Sequence, residues 1–395
     1  MKKRKRSYRY FFQYLGTLFF LLILLILLLN AVIPQRSFSE KENRVLSSRP
    51  KVSLTQIANG KFSSKYESYV NDQFMFRDFW VTLKAGTDRA LGKVEGNGVY
   101  ICRDGYLMEA FTPPSQEQLQ ATVNAMTAFA DNHSELKQYA LIAPNAVTIL
   151  KDKLPAAAPV ISQVPYLNQV RESLEAADIT FIDVSETLSS HKDENIYYRT
   201  DHHWTTQGAY YAYLTAAGIM DLDTSSASYE KLPVSYSFQG TLSAKSGFRS
   251  GKKEELDVFL PADENAPRSV VNYVDQQKKT ASFYSTDQLK GRDKYALFFD
   301  GNHAQVKIST PVEDDTTLLV LKDSYANCFV PFLAAHYRSI IMIDPRYYYG
   351  DLEELIQVEG VDEVLYLYNA NTFFSDSSLE LTLTPQQENE GSTAS

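Results

Sequence analysis

Two of the six histidines stand together beside a carboxylate, in Asp201-His202-His203-Trp204. The run Tyr197-Tyr198-Arg199-Thr200 precedes them and Thr205 follows. An Asp and a His two residues apart on extended backbone project to the same side. The carboxylate then holds one ring nitrogen and leaves the other free as a base. That geometry selects His203 as the base and Asp201 as its orienter. His202 should face the opposite way, into packing or a supporting role. Trp204 reads as a ring walling the base, with a sugar-stacking platform as the alternative. The activity of such a base falls as its imidazole protonates.

A base of this kind needs a nucleophile. Open α/β sheets keep their reactive groups at the C-terminal ends of strands. Leu318-Leu319-Val320-Leu321-Lys322-Asp323-Ser324 fits, with a short apolar strand delivering Ser324 to a helix predicted over 325–336. Backbone N–H groups at a helix start favour a developing oxyanion. A plain N-cap serine is the alternative. With Ser324 as nucleophile, His203 as base and Asp201 as orienter, the chain has a triad for acyl transfer through an acyl-serine. Oxyanion or substrate candidates are the Ser324 backbone N–H, Arg346 in Asp344-Pro345-Arg346-Tyr347, and Asn369 after the last predicted strand. Asn302 and His303, in Gly301-Asn302-His303, are substrate contacts or simply a turn. His202 and Trp204 complete the candidates. No metal motif uses either cysteine, and no metal or cofactor is expected.

The elements that must position these groups alternate along the chain. Helices are predicted over 116–132, 166–177, 206–219, 325–336 and 352–359, and strands over 139–143, 179–184, 317–321, 340–343 and 364–368. Alternation of this kind implies an α/β class, with a mostly parallel sheet covered on both faces. The sheet domain spans 111–227 and 311–376. Residues 228–310 break the rhythm with short β-type pieces at 295–299 and 305–308, and read as a β-rich insertion or lid. Residues 34–110 form a polar linker followed by a helical and β lead-in region. The tail over 377–395 is polar, and from about Glu380 it is expected to be disordered.

The N-terminus carries a membrane signal. A basic segment over 1–14, with Lys2-Lys3-Arg4-Lys5-Arg6, precedes an uncharged, leucine-rich run over 15–33. Such a run makes a helix of roughly 28 Å, enough to cross the hydrocarbon core. The basic flank should stay cytoplasmic, which places the rest outside as a single-pass protein of the cell membrane. A cleaved signal peptide is the competing reading. Its apolar region is shorter and ends in a small-x-small site, which Leu29-Asn30-Ala31 matches poorly. The net charge of −9 becomes more negative without the basic terminus. This argues against nucleic acid as a partner. Cys102 and Cys328 could form one disulfide outside the cell, but two cysteines make no disulfide framework. A buried free thiol is the expectation for Cys328.

Tyr198-Arg199-Thr200-Asp201-His202-His203-Trp204-Thr205 resembles the signature of the DHHW family. That family is similar to the SGNH-like subunits of alginate and exopolysaccharide O-acetylation, in which an Asp-x-His-Trp motif precedes the serine. The resemblance extends over most of 38–376, through Glu42-Asn43-Arg44, Asn71-Asp72-Gln73-Phe74, Phe76-Arg77-Asp78, Gly301-Asn302-His303 and Lys322-Asp323-Ser324-Tyr325. It implies an SGNH-hydrolase-like α/β/α sandwich with Asp201, His203 and Ser324 as catalytic residues. It also implies extracytoplasmic O-acyl transfer, of acetyl in the first instance, to an exported or surface polysaccharide. The implied donor is a multi-spanning membrane-bound O-acyltransferase. The chain departs from the SGNH pattern at Lys322, where glycine is typical. A carbohydrate esterase or deacetylase, and a non-catalytic glycan-binding subunit, remain alternatives. Asp-His-His also occurs in metal-dependent DHH phosphoesterases, but the chain lacks suitably placed Asp-x-Asp motifs.

Overall fold

The computed structural model describes residues 2–36, 38–39, 44–225, 227–248, 253–263 and 268–384. Glu42 and Asn43 of the lead-in motif, and residues 385–395 of the tail, lie outside the described residues; the start of the tail is ordered instead as the helix Ser378–Leu383, which buries Leu379 and Leu383. The chain divides into two compact units, 1–93 and 94–395, so the boundary falls inside the lead-in region.

The first unit begins with one long helix, Lys2–Val32. Its segment Tyr10–Val32 is long and apolar enough to cross a membrane, and none of it is buried. Short helices Leu54–Ala58 and Lys61–Gln73 follow, then Arg77–Ala90. Polar residues at the end of the helix Lys61–Gln73 act as ties. Buried Asp72 accepts the Ser47 N–H at 2.8 Å, and the Gln73 amide donates to the carbonyls of Arg36 and Ser47 at 2.9 and 3.1 Å.

The second unit is built on an eight-stranded sheet. Its strands, in chain order, are β1 Lys137–Ala143, β2 Thr180–Phe181, β3 Val270–Tyr273, β4 Lys278–Thr280, β5 Gln305–Ser309, β6 Thr317–Lys322, β7 Ser339–Ile343 and β8 Glu363–Asn369. The spatial order is β4-β3-β5-β7-β6-β8-β1-β2. The run β7-β6-β8-β1-β2 is parallel, and β5, β3 and β4 extend it antiparallel. Strand side chains alternate between faces. In β6, Leu318 and Val320 enter one core while Leu319 and Leu321 enter the other. Helices Gln116–Asn132, Val164–Glu175 and Leu352–Glu359 pack on the second face; Thr206–Ile219 packs on the first. A strand buried on both sides tolerates truncation poorly, and a Leu→Ala change in such a place costs about 2–5 kcal/mol. The α/β/α sandwich is therefore the observed architecture.

Several elements differ from the sequence expectation. The helix over 325–336 is instead a 3₁₀ turn, Ser324–Cys328, followed by a single α turn, Val330–Leu333. Pro331 has no N–H to give to the carbonyl four residues back, so a continuous helix cannot form. The strand over 179–184 shrinks to β2. The segment 228–310 is only in part an insertion, because β3, β4 and β5 belong to the main sheet. The remainder includes a separate antiparallel pair, Tyr229–Phe238 with Glu254–Pro261. The piece at 295–299 is a 3₁₀ turn, Lys294–Leu297. Cys102 and Cys328 are both free and buried, and burial pushes each thiol up to about 12.

Candidate active site

The loop that carries Asp201 to His203 is a bend closed at its base like a hairpin. Tyr197 and Trp204 form an antiparallel bridge, the Tyr198 N–H donates to the His203 carbonyl at 3.3 Å, and the Thr205 N–H donates to the Ile196 carbonyl at 2.9 Å. Thr205 then caps the helix Thr206–Ile219 by accepting the Gly208 N–H at 3.1 Å. The buried Glu254 carboxylate takes the N–H groups of Arg199 and Thr200, at 2.5 and 2.8 Å. The loop is thereby fixed from both flanks before any catalytic contact is counted.

Within it, Asp201 Oδ1 lies 2.5 Å from His203 Nδ1 and accepts the His203 backbone N–H at 3.0 Å. His203 Nε2 lies 2.7 Å from Ser324 Oγ, across 121 residues of sequence. Asp201 Oδ2 accepts the Thr241 backbone N–H at 2.7 Å and its hydroxyl at 3.0 Å. Gly240 permits that approach: a Cβ there would stand 2.1 Å from Asp201 Cβ. The Tyr295 ring stacks on His203, with centroids 3.7 Å apart and planes 13° off parallel. The Tyr295 hydroxyl reaches the Ser324 carbonyl at 3.2 Å.

Ser324 follows β6 as the first residue of its 3₁₀ turn, so no earlier turn of the helix reaches its N–H. Asp323 shapes this junction. Its carboxylate accepts the Tyr325 N–H at 2.8 Å, the Asn369 N–H at 3.0 Å and the Asn369 amide at 2.5 Å.

Electrostatics favours an ionised Asp201 beside a neutral His203. Burial by itself would raise the Asp201 pKa. The adjacent His202 and His203, with the hydrogen bonds from His203 and Thr241, outweigh it and hold the carboxyl well below the usual range. Burial first, then the neighbouring His202, brings His203 down to about 4 despite Asp201. A neutral imidazole with Nδ1–H fixed on a carboxylate presents Nε2 as a proton acceptor to Ser324.

The remaining candidates divide. His202 does not face away from Asp201. The backbone bends instead of extending, so the two imidazoles lie over one another with centroids 3.9 Å apart. His202 Nδ1 sits 2.7 Å from the Thr241 hydroxyl and 3.6 Å from Asp201 Oδ1. Because that hydroxyl donates its one proton to Asp201, His202 donates Nδ1–H to it and keeps Nε2 free. Trp204 is fully buried against Tyr325 and Phe329, and its Nε1–H donates to the Tyr325 carbonyl at 3.1 Å. It is a wall, with no face free for a sugar. Asn369 is also buried, spent on Asp323 and on capping the helix Ala370–Ser375. His303 is buried, with Nε2 on the Phe299 carbonyl at 2.9 Å and its ring against Tyr273. It braces a turn. Arg346 forks onto Asp344 at 2.8 and 2.6 Å, and its charge is felt at His203.

Asn302 is exposed at the end of a backbone run in which Phe299, Asp300 and Gly301 all have positive φ, at 55°, 59° and 98°. Its Oδ1 accepts from Asn327 Nδ2 at 3.1 Å and from Lys322 Nζ at 3.4 Å. Lys322 is buried and also donates to Asn327 Oδ1 at 2.9 Å. A lysine only donates, so it sets the direction of both amides and leaves the Asn302 Nδ2 pointing away from it. Sequence reasoning missed Gly240, Thr241 and Tyr295 as parts of the site. Gln239-Gly240-Thr241 carries a faint turn signal; Tyr295 had none.

Asp201, His202 and His203 offer ligand atoms within 4.8 Å of one another. Both ring nitrogens of His203 are taken up by Asp201 and Ser324, and His202 Nδ1 by the Thr241 hydroxyl, which suits proton transfer better than metal binding.

Fold and relay define an α/β protein with a large, mostly parallel sheet and its histidine before its serine. The chain matches the DHHW protein family over residues 84–343 and belongs to it. Among solved structures it is similar to a DHHW family protein from Eubacterium siraeum, with 20% identity and a TM-score of 0.63, covering 74% of this chain and 98% of that one. Bacillus cereus PatB1 with a sulfonyl adduct matches at 21% identity and a TM-score of 0.55, over 71% and 98% of the two chains. The O-acetyltransferase domain of Pseudomonas putida AlgJ matches at 16% identity and a TM-score of 0.45, over 72% and 98%. No curated protein matches the sequence.

Proposed function

We propose that this protein is a membrane-anchored O-acyltransferase that works outside the cell through an acyl-serine on Ser324. The observation that carries the reading is the continuous relay Asp201–His203–Ser324, at 2.5 and 2.7 Å. His203 Nε2 takes the Ser324 proton as Oγ attacks the donor's acyl carbonyl. The tetrahedral oxyanion collapses, and the leaving group departs with the proton from His203. A hydroxyl of the acceptor then attacks the acyl-serine, giving its proton to His203. The new ester leaves, and Ser324 recovers that proton. The Ser324 N–H and the Asn302 amide are the oxyanion donors in this scheme, and Arg346 adds positive charge at the sheet edge.

The transferred group is acetyl and the acceptor an exported or cell-surface polysaccharide, as the motif resemblance implies. The donor side is a multi-spanning membrane-bound O-acyltransferase. The helix Tyr10–Val32 is the anchor, with the basic terminus cytoplasmic. The sulfonyl adduct of PatB1 suggests a direct probe, since sulfonyl reagents modify activated hydroxyls. A sulfonyl fluoride should add one group to this protein at Ser324, and Ser324→Ala should abolish both the addition and the turnover of a small acetyl ester. Labelling elsewhere, or unchanged turnover in the variant, would refute the acyl-serine. Loss of acetyl from the surface glycan on expression, in place of gain, would assign the protein to the deacetylases.

A further inference from the structure

The helix Arg77–Ala90 leaves a large apolar face uncovered. Phe76, Phe79, Trp80 and Leu83 are 63%, 58%, 46% and 49% exposed. Of these, Phe79, Trp80 and Leu83 fall with Gly86 and Ala90 within an arc of roughly 120° on a helical wheel, and Phe76 stands just ahead of them as the N-cap. No charged residue falls in that arc. Asp78 and Arg89 lie to one side of it, Lys84 and Asp88 to the other. Lys84 and Asp88 pair at 2.9 Å. The buried side of the helix is elsewhere, at Ala85. An apolar stripe with charged flanks needs a covering.

The same unit shows what lies beside the stripe. The Met75 N–H donates to Asn30 Oδ1 at 2.9 Å. Asn30 belongs to the last turn of the apolar segment Tyr10–Val32. Trp80 Nε1–H donates to the Met75 carbonyl at 3.1 Å, which brings the indole to the same level. Arg36, just past that segment, pairs with Asp78 at 3.1 Å. The stripe therefore starts within hydrogen-bond reach of the end of the membrane-crossing helix. Indole rings and amphipathic helices concentrate at that depth, where the apolar body meets acyl chains and the polar edge meets headgroups.

We propose that Arg77–Ala90 lies in the outer membrane–water interface, with Phe76, Phe79, Trp80 and Leu83 among the lipids. The proposal rests on the anchor reading above. The helix fixes the lead-in region to the bilayer surface.

The chain has two tryptophans, and Trp204 is fully buried. Trp80 is thus the reporter. The full-length protein is reconstituted in phosphatidylcholine–phosphatidylglycerol vesicles with brominated acyl chains. Bromolipid should quench about half of the tryptophan emission, and Trp80→Phe should remove that quenchable part while aqueous iodide quenches little. Leu83→Lys, which leaves Trp80 in place, should reduce the bromolipid quenching. Quenching by iodide and not by bromolipid would put the stripe in water and overturn the proposal. Protection from both quenchers, strengthening with protein concentration, would replace lipid by a second copy and overturn it as well. Carbonate extraction separates the two levels. Release from the vesicles defeats the anchor reading and this proposal with it; retention with an unquenched Trp80 defeats this proposal alone.

Discussion

Two buried aspartates flank Ser324, and their pKa values move in opposite directions. Asp201 is held well below the usual carboxyl range, and Asp323 is raised. Both are buried, and burial is the largest influence on each. The partners decide the sign. Asp201 faces two imidazoles and a threonine that supplies both its N–H and its hydroxyl. Asp323 is bonded by amides alone, from Tyr325 and Asn369, with the Arg346 charge as its main relief. Asp201 is therefore held as an anion against the His203 imidazole. Asp323 is built to join the end of β6 to the end of β8. In the proposed mechanism one carboxylate serves chemistry and the other serves geometry.

Asparagine substitutions break the comparison open. Asp201→Asn keeps the shape but loses the negative charge, and its amide competes for the wrong imidazole tautomer. Acetyl-ester turnover should fall roughly ten-thousand-fold with only a small change in thermal midpoint. Steady-state rates and a melting curve on the same sample check this. Gly240→Ala attacks the same carboxylate from behind. The added Cβ overlaps Asp201, so overpacking of about 1–3 kcal/mol should accompany severe loss of activity. Asp323→Asn should reverse the balance. It turns an NH₂ toward donors that need an acceptor, costing about 1–3 kcal/mol of stability, and the residual folded enzyme should keep much of its kcat. If Asp323→Asn abolished turnover without lowering the melting temperature, the division of labour would be wrong.

The parts legible in the sequence are those with a local pattern. Helices Gln116–Asn132 and Leu352–Glu359 were expected at those bounds, because apolar periodicity ends in side-chain caps. Ser115 accepts the Gln118 N–H and Asp351 the Glu354 N–H. Strands β1, β6, β7 and β8 announce themselves as apolar runs buried on both faces. The serine and histidine were legible from residue type and position. Their supports were not. Thr241 reaches Asp201 from 40 residues away and Tyr295 lies over His203 from 92 away, with no spacing rule to join them. Asn369 was offered to the site, and His303 was left open between a substrate contact and a turn, because polar residues at strand ends look alike, whether they face a cleft or cap a buried turn. The opposed placement of His202 failed for one reason: the i,i+2 rule holds on extended backbone, and this loop bends.

That misplaced histidine yields the subtlest prediction. His203 titrates near 4, so turnover should stay flat from pH 5 to 8 and fall only in more acid solution. The ordinary imidazole value of 6.5 would have put the fall at the centre of that range. His202 supplies part of the difference. The groups around it are Asp201, His203, the Thr241 hydroxyl and Tyr325, whose hydroxyl donates to the His202 carbonyl at 2.5 Å. After burial, the neighbouring His202 is the next largest influence that lowers His203. His202→Gln should therefore move the acid limb of kcat/KM upward, from near 4 toward 6.5, while leaving the plateau rate at pH 8 close to that of the parent. Stability should follow the same sign. Between 6.5 and about 4 the unfolded chain binds a proton that folded His203 refuses, so the protein gains stability as pH rises through that window. A parent enzyme whose activity halves near pH 6.5, with His202→Gln unchanged from it, would show that burial and His202 do not hold His203 neutral.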